Sequence, residues 1–153
     1  MSQSIPYQLS AAVVSALTAE MGPTGVSVID NPTTVAALDK GRRVVFVEDR
    51  DDNLISKEGQ AEARTFSFVI GVINRTDGAR AGADADMQQA KAVATLAARD
   101  ACMALVASKA LVISQYPREG QRTYRHERID IDGALILTSF EIDYRLPSRP
   151  AGT

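Results

Sequence analysis

The stretch RTFSFVIGVINR, Arg64 to Arg75, decides the fold class of this chain. Its large apolar side chains recur at every second position, the period of a β-strand that buries one face: Phe66, Phe68, Ile70 and Val72. The preceding segment RVVFVE, Arg43 to Glu48, is mostly apolar and β-branched, which favours a second strand. A sheet is therefore predicted at the centre of the structure.

The residues between these two strands, Asp49 to Ala63, are predicted to form a polar loop. The segment is too long for a tight hairpin turn and too polar to be buried. Its only large apolar side chains are Leu54 and Ile55. We expect a loop that is mobile in the isolated protein and that contacts a partner through Leu54 and Ile55.

A long helix is predicted from about Ala85 to Ser108, and it carries two apolar stripes. The first stripe is mostly alanine: Met87, Ala90, Ala94, Ala97, Ala98, Ala101 and Leu105. The second stripe contains larger side chains: Val93, Leu96, Met103 and Val106. A helix that lies on a sheet needs one buried stripe. The second stripe therefore predicts an interface with another subunit, because a monomer that exposed it would carry a large apolar patch.

The clearest hairpin is predicted near the end of the chain. Arg122 to Ile131 leads into Asp132-Gly133, which is typical of a type I′ turn, and Ala134 to Leu146 follows as the second strand. The tail, Pro147 to Thr153, is expected to be flexible.

The N-terminal part predicts a short helix from about Pro6 to Glu20 and a strand around Val26 to Ile29. Asn31-Pro32 is typical of a helix start, with Asn31 as N-cap. The fold class is thus α+β, a mostly antiparallel sheet with a long helix and a shorter N-terminal helix packed on it. We expect one domain over residues 1–153, with an ordered core of about residues 6–146.

Composition argues against several function classes. The formal net charge is −2, from 17 basic and 19 acidic residues, which disfavours a nucleic-acid binder. One cysteine, Cys102, cannot form an internal disulfide. No apolar run approaches the roughly 18 residues of a membrane span, and the first residues lack the pattern of a signal peptide. We expect no membrane association.

Residues that could carry catalysis or bind metal are sparse. His126 is the only histidine, and it lies among charged residues of a predicted strand, without an obvious catalytic partner. Cys102 lies beside Ala101 and Met103, which favours a buried structural thiol. The Asp49 segment resembles the start of a calcium loop but has leucine and glutamine where that loop needs glycine and glutamate. We therefore predict no catalytic, cofactor-binding or metal-binding residues and no enzymatic activity.

Over about Leu9 to Leu146, the chain resembles the tail terminator (tail completion) proteins of long-tailed bacteriophages. The resemblance lies in the order of the elements, the size of the chain and the general character of the sequence. It is carried by an opening helix, a strand pair, a long alanine-rich helix and a closing strand: YQLSAAVVSALTAEM, RRVVFVEDR with RTFSFVIGVINR, DMQQAKAVATLAARDACMALVAS and ALILTSFEIDYRLP.

This resemblance implies a virion protein that assembles in the host cytoplasm into a ring, commonly a hexamer. The ring caps the tail tube at its head-proximal end and joins it to a head-side connector protein. DNA passes through the ring without specific binding. Another phage neck or head-completion (stopper) protein, or a tail tube subunit, is the alternative interpretation of the same features.

A ring through which DNA slides is expected not to have a strongly basic lumen, because each Lys or Arg that contacts phosphate strengthens DNA binding. An acidic run in the predicted loop supplies the lumen candidates: Glu48, Asp49, Asp51 and Asp52. The alternative is that this run faces bulk water.

Overall fold

The computed structural model describes residues 3–34, 36–39, 41–58, 61–114, 117–125 and 133–147. The two helices are α1 (Ile5–Met21) and α2 (Ala79–Ala107), and short 3₁₀ turns lie at Gly22–Thr24 and Ala36–Leu38. The strands are β1 (Ser27–Asp30), β2 (Arg43–Glu58), β3 (Ala61–Asn74), β4 (Ile113–Ser114), β5 (Arg118–Arg125) and β6 (Ala134–Leu146).

The strands form one sheet in the order β1-β2-β3-β6, with β4 and β5 both pairing with the far side of β6. Only the β1–β2 pair is parallel. Helices α1 and α2 contact each other, and both pack on the same face of the sheet. The predicted fold class, α+β with a mostly antiparallel sheet, a long helix and a shorter N-terminal helix, is confirmed.

The main core lies between the helices and this face of the sheet. The four residues predicted to share one face of β3 are all buried there: Phe66, Phe68, Ile70 and Val72. The ring of Phe68 stacks on those of Phe66 and Phe140, with centroids 5.6 and 5.4 Å away. From α2 the core receives small side chains, among them Ala90, Ala94 and Ala98, so the helix lies close to the sheet.

A smaller apolar cluster lies on the other, helix-free face of the sheet: Leu38, Val44, Phe46, Ile73 and Leu135. Phe46 lies opposite Gly71 across the β2–β3 pair, and its ring covers the glycine. A Cβ at position 71 would lie 2.0 Å from the Phe46 ring. Gly71 is therefore required by close packing.

The predicted loop from Asp49 to Ala63 is wrong. Strand β2 continues to Glu58 and β3 begins at Ala61, so most of the segment is a hairpin. Two register shifts, at Asp49/Asp51 and Leu54/Ser56, interrupt the pairing. Each shift breaks the two-residue alternation, and this explains why the segment lacks the sequence pattern of a strand.

Two predicted helix starts also need correction. Helix α2 begins at Ala79, six residues before the expected Ala85, and so Asp84 and Asp86 lie within it. Asn31 does not cap a helix. Its side-chain oxygen accepts a hydrogen bond from the backbone N–H of Asp49 at 2.7 Å, while Thr34 caps the 3₁₀ turn at Ala36–Leu38. By contrast, α1 begins at Ile5, one residue from its expected start.

The terminal hairpin exists, but its register differs from the predicted one. A two-residue turn at Asp132-Gly133 would pair Arg125 with Phe140, whereas Arg125 pairs with Leu135. The first half of the predicted turn lies outside the described residues. Residues 126–132 and 148–153, which include His126 and most of the predicted flexible tail, lie outside the described residues. The two-residue strand β4 had no recognisable sequence pattern.

Candidate assembly surfaces

The outward side of α2 presents an apolar row to solvent. Leu96, Met103 and Val106 are 51%, 56% and 38% exposed. Val93, the fourth member of the predicted second stripe, is half-buried and packs against the main core. The structure therefore separates Val93 from the other three interface candidates.

The spacing of this row is that of a helix-packing seam. Exposed residues of α2 recur at alternating intervals of three and four: Gln89, Ala92, Leu96, Arg99, Met103 and Val106. Alternating steps of three and four keep side chains on one side of a helix, where a neighbouring helix can pack. We call these six residues the α2 row.

A second set of exposed apolar side chains lies at the end of the sheet where β2 and β3 join. Leu54 and Ile55 are 49% and 64% exposed. Ile55 lines an open groove of about 380 Å³ together with Ala63 and Arg145. Val112, 50% exposed, lies at the same end, because its backbone N–H bonds to the Arg145 carbonyl. We call Leu54, Ile55 and Val112 the apolar end.

The four acidic lumen candidates do not share one environment. Glu48 pairs with Val69 and Asp51 with Ser67, which places both acids on the helix-free face of the sheet. Asp49 is exposed beside the first register shift. Asp52 pairs with Phe66, a core residue, and therefore points toward the helix-bearing face.

Asp52 belongs to a polar cluster that closes the core at the apolar end. Its carboxylate accepts hydrogen bonds from the Tyr144 hydroxyl at 2.6 Å and from Arg64 Nε at 3.0 Å. Arg64 also donates to Glu62 at 2.8 Å. Burial, and then the bond to Asp52, raises the pKa of Tyr144 well above its ordinary value. These contacts fasten the β2–β3 hairpin to β6.

The helix-free face carries a row of polar side chains across the sheet. Asp51, Ser67, Glu141 and Arg118 come from four consecutive strands and lie side by side. Arg118 donates hydrogen bonds to Glu141, at 2.6 Å, and to Asp143. Thr65 also donates to Asp143, at 2.6 Å. The bonds from Arg118 and Thr65 lower the pKa of Asp143.

The helix-free face has an apolar half, which contains the cluster around Phe46, and a polar half, which contains the row around Arg118. The two halves have different partners. The 3₁₀ turn containing Leu38 packs on the apolar half. Over the polar half, Glu141, Asp143, Thr65 and Ser67 are only partly buried. This polar half combines acids, an arginine and hydroxyl groups, and its charge is mixed.

The residues considered for chemistry do not come together in the part of the chain that the structure describes. Cys102 is buried in α2 and packs in the main core. No three His, Cys, Asp or Glu side chains within the described ranges lie close enough to hold a metal ion. None of the described helices has the length and apolar character needed to cross a membrane.

Comparison with known proteins identifies no family. No protein-family model matches the sequence, and no curated protein is significantly similar to it. The chain is similar to a chain from the virion of a native gene transfer agent (GTA) particle. That alignment has 16% sequence identity, covers 95% of this chain and 98% of the other, and has a TM-score of 0.44. Similarity at this level establishes neither a shared fold nor a shared role.

Helical periodicity predicted Leu96, Met103 and Val106 as members of one stripe, and all three are exposed. The polar contacts of the sheet were not predicted. The Asp52–Arg64–Tyr144 cluster and the Arg118–Asp143–Thr65 contacts join residues 12 to 92 positions apart. The alternation of β6 places Asp143 and Tyr144 on opposite faces, but no sequence pattern shows which residues of other strands they contact.

Proposed function

We propose that this protein is a non-enzymatic structural subunit of a phage-like virion. Copies of the chain form a ring, six-fold as the resemblance implies, at the head-proximal end of the tail. The ring caps the tail tube and joins it to the head-side connector. The observation that carries the proposal is the α2 row, in which Leu96, Met103 and Val106 are exposed on the side of α2 that points away from the sheet.

The α2 row is suited to a contact between subunits. Burying a Leu, Met or Val side chain completely contributes about 1.5–3 kcal/mol. Roughly half of the surface of Leu96 and Met103 still contacts water. Covering these two residues and Val106 would therefore add on the order of 3 kcal/mol per contact. In a ring each subunit uses two different surfaces, so the row meets a different surface of its neighbour.

The apolar end supplies a second contact in another direction. Leu54, Ile55 and Val112 lie at one end of the sheet, whereas the α2 row runs along the outer side of the helix. A ring inside a tail needs lateral contacts between its own subunits and axial contacts with a tube or connector. We assign the apolar end to the axial contact and the α2 row to a contact with another copy of the chain.

The test of the contact through the α2 row is the double substitution Leu96→Glu/Met103→Glu. We expect the wild-type protein to form rings at high concentration and the variant to remain monomeric, because it places two carboxylates in the seam. Analytical ultracentrifugation and electron microscopy measure this. The matched control, Thr95→Glu/Ala104→Glu, adds the same charge at exposed positions of α2 outside the row. A wild-type chain that stays monomeric at every concentration contradicts the proposal.

The role in the virion is tested by removing the chain from a particle that contains it. Loss of a terminator leaves assembled tubes that lack a capped end. Loss of a stopper releases DNA from filled heads, and loss of a tube subunit leaves no tubes. Electron micrographs of the depleted lysate separate these alternatives.

A further inference from the structure

The sheet has two long edges at which no described strand pairs. On one side, β1 covers β2 only from Val44 to Val47, and the rest of that edge, Asp49–Glu58, has no strand beside it among the described residues. On the other side, no described strand pairs with β5 (Arg118–Arg125) on its side away from β6. We call these the β2 edge and the β5 edge.

Both edges are long enough to form a stable ladder. At about 3.3 Å per residue, the ten residues of the β2 edge extend about 33 Å and the eight residues of the β5 edge about 26 Å. An exposed edge presents unpaired backbone N–H and C=O groups, which readily pair with another strand. We therefore expect each edge to be covered or to pair with a strand of another chain.

The charges of the two edges are complementary. The β2 edge has four acids and two bases, a net charge of −2, and the β5 edge has three bases and one acid, a net charge of +2. Three of the charged groups of the β5 edge also form ion pairs within their own chain: Arg118 with Glu141 and Asp143, Glu119 with Lys91, and Arg122 with Asp84. Pairing of like edges would bring together equal net charges, so charge favours contact between unlike edges, which backbone hydrogen bonds would hold together.

The directions of the strands also fit a joint between neighbours. Strand β2 is antiparallel to β3, β3 to β6 and β6 to β5, and so β5 runs opposite to β2. Rotation about a ring axis preserves this relation between neighbouring copies for strands that run along the axis, as a sheet joined around the ring requires. The β5 edge of one subunit would then lie antiparallel to the β2 edge of the next.

We propose that the β5 edge of one copy pairs with the β2 edge of a second copy, so that the sheets of successive subunits join around the ring. This inference rests on the proposed ring and names a joint within it. It satisfies the requirement of a ring for two different surfaces, and it leaves neither long edge unpaired.

The joint is tested by disulfide cross-linking of purified protein. Cysteines are placed at Asn53 or Lys57 in the β2 edge and at Glu119 or Thr123 in the β5 edge, and the buried Cys102 remains in place. We expect a chain with one cysteine in each edge to give a ladder of cross-linked oligomers after mild oxidation. Each single-cysteine variant should give none. The control pairs Thr123→Cys with Gln88→Cys on α2.

The pattern of cross-links reports the orientation. Asn53 with Thr123 and Lys57 with Glu119 fit one antiparallel joint, because each pair shares a face of the sheet and the two strands run in opposite directions. Strong cross-linking of Asn53 with Glu119 together with Lys57 with Thr123 would contradict this arrangement and overturn the inference. Rings that form without any edge cross-link would also overturn it while leaving the proposed function intact. A protein that never forms rings contradicts the proposed function instead.

Discussion

Asp86 ties the long helix to the sheet through a nearly buried ion pair. Its carboxylate accepts two hydrogen bonds from Arg43, at 2.7 and 3.1 Å, and its side chain is 7% exposed. Asn74 also reaches this carboxylate, at 3.5 Å. A helix that began at Ala85, as predicted, would have Asp86 at its N-terminus, where the helix dipole stabilises an acid.

We expect Asp86→Ala to lower the free energy of unfolding by about 3 kcal/mol, because it leaves the Arg43 guanidinium without its main partner. The value lies at the low end for buried pairs, since the Arg43 side chain is 30% exposed. Urea denaturation measures the change. Asp84→Ala is the control: it removes an ion pair with Arg122 from an exposed acid of the same helix and should cost at most about 1 kcal/mol. Equal losses in the two variants would contradict this account.

Asp143 provides a prediction about pH. Arg118 and Thr65 lower its pKa in the folded protein, so the associated stability is present above the ordinary carboxylate pKa of 3.8. That stability is lost as the pH falls below 3.8 and through the lowered pKa. In Arg118→Ala we expect the pKa of Asp143 to rise toward 3.8, as measured by NMR titration of its carboxyl carbon. Thr65→Val should raise the pKa less. An unchanged pKa in Arg118→Ala would show that Arg118 is not the main cause.

At the scale of elements, regular patterns were predicted well and interrupted ones were not. The alternation in β3 and in the C-terminal part of β6 gave both strands and the correct buried face. The distal part of β2 was missed because its two register shifts place polar residues on both faces. The register of β5 against β6 was predicted wrongly. The prediction relied on the turn dipeptide Asp132-Gly133, whereas the observed pairing depends on tertiary contacts that leave no pattern in the sequence.

Because Leu54 and Ile55 lie in the hairpin of β2 and β3, the apolar end is tested by substitution. Deletion of Leu54 to Gly59 would remove the end of β2 that pairs with β3. We instead expect Leu54→Ser/Ile55→Ser to change the free energy of unfolding by less than about 0.5 kcal/mol, because both side chains are largely exposed. Binding to tail tubes in co-sedimentation should weaken at least about tenfold, which corresponds to 1.4 kcal/mol. Asn53→Ser/Ser56→Ala, in the same hairpin, is the control. Normal co-sedimentation of the double serine variant would show that the apolar end does not make the axial contact.

At the scale of the whole molecule, the structure allows a choice of the surface that lines the proposed ring. The helices cover one face of the sheet, and the α2 row lies outside them. The polar half of the other face carries Asp51, Glu141 and Asp143 beside Arg118. We propose that this mixed, hydroxyl-rich half faces the lumen. Glu48 and Asp51 stay candidates for the lining, whereas Asp52 is engaged by Arg64 and Tyr144 on the opposite face.

A lumen of this composition lets DNA slide, because few cations are available to displace the counterions of the phosphates. We expect rings of Glu48→Lys, a position on the helix-free face and outside the β2 edge, to retain duplex DNA at 50 mM salt and to release it at 200 mM. Phosphate contacts lose most of their affinity between these two salt concentrations. Filter binding at both salt concentrations measures this. The control, Glu20→Lys, makes the same change in net charge at an exposed acid elsewhere. Equal DNA retention by the two variants would show that net charge alone is responsible and that Glu48 lies outside the channel.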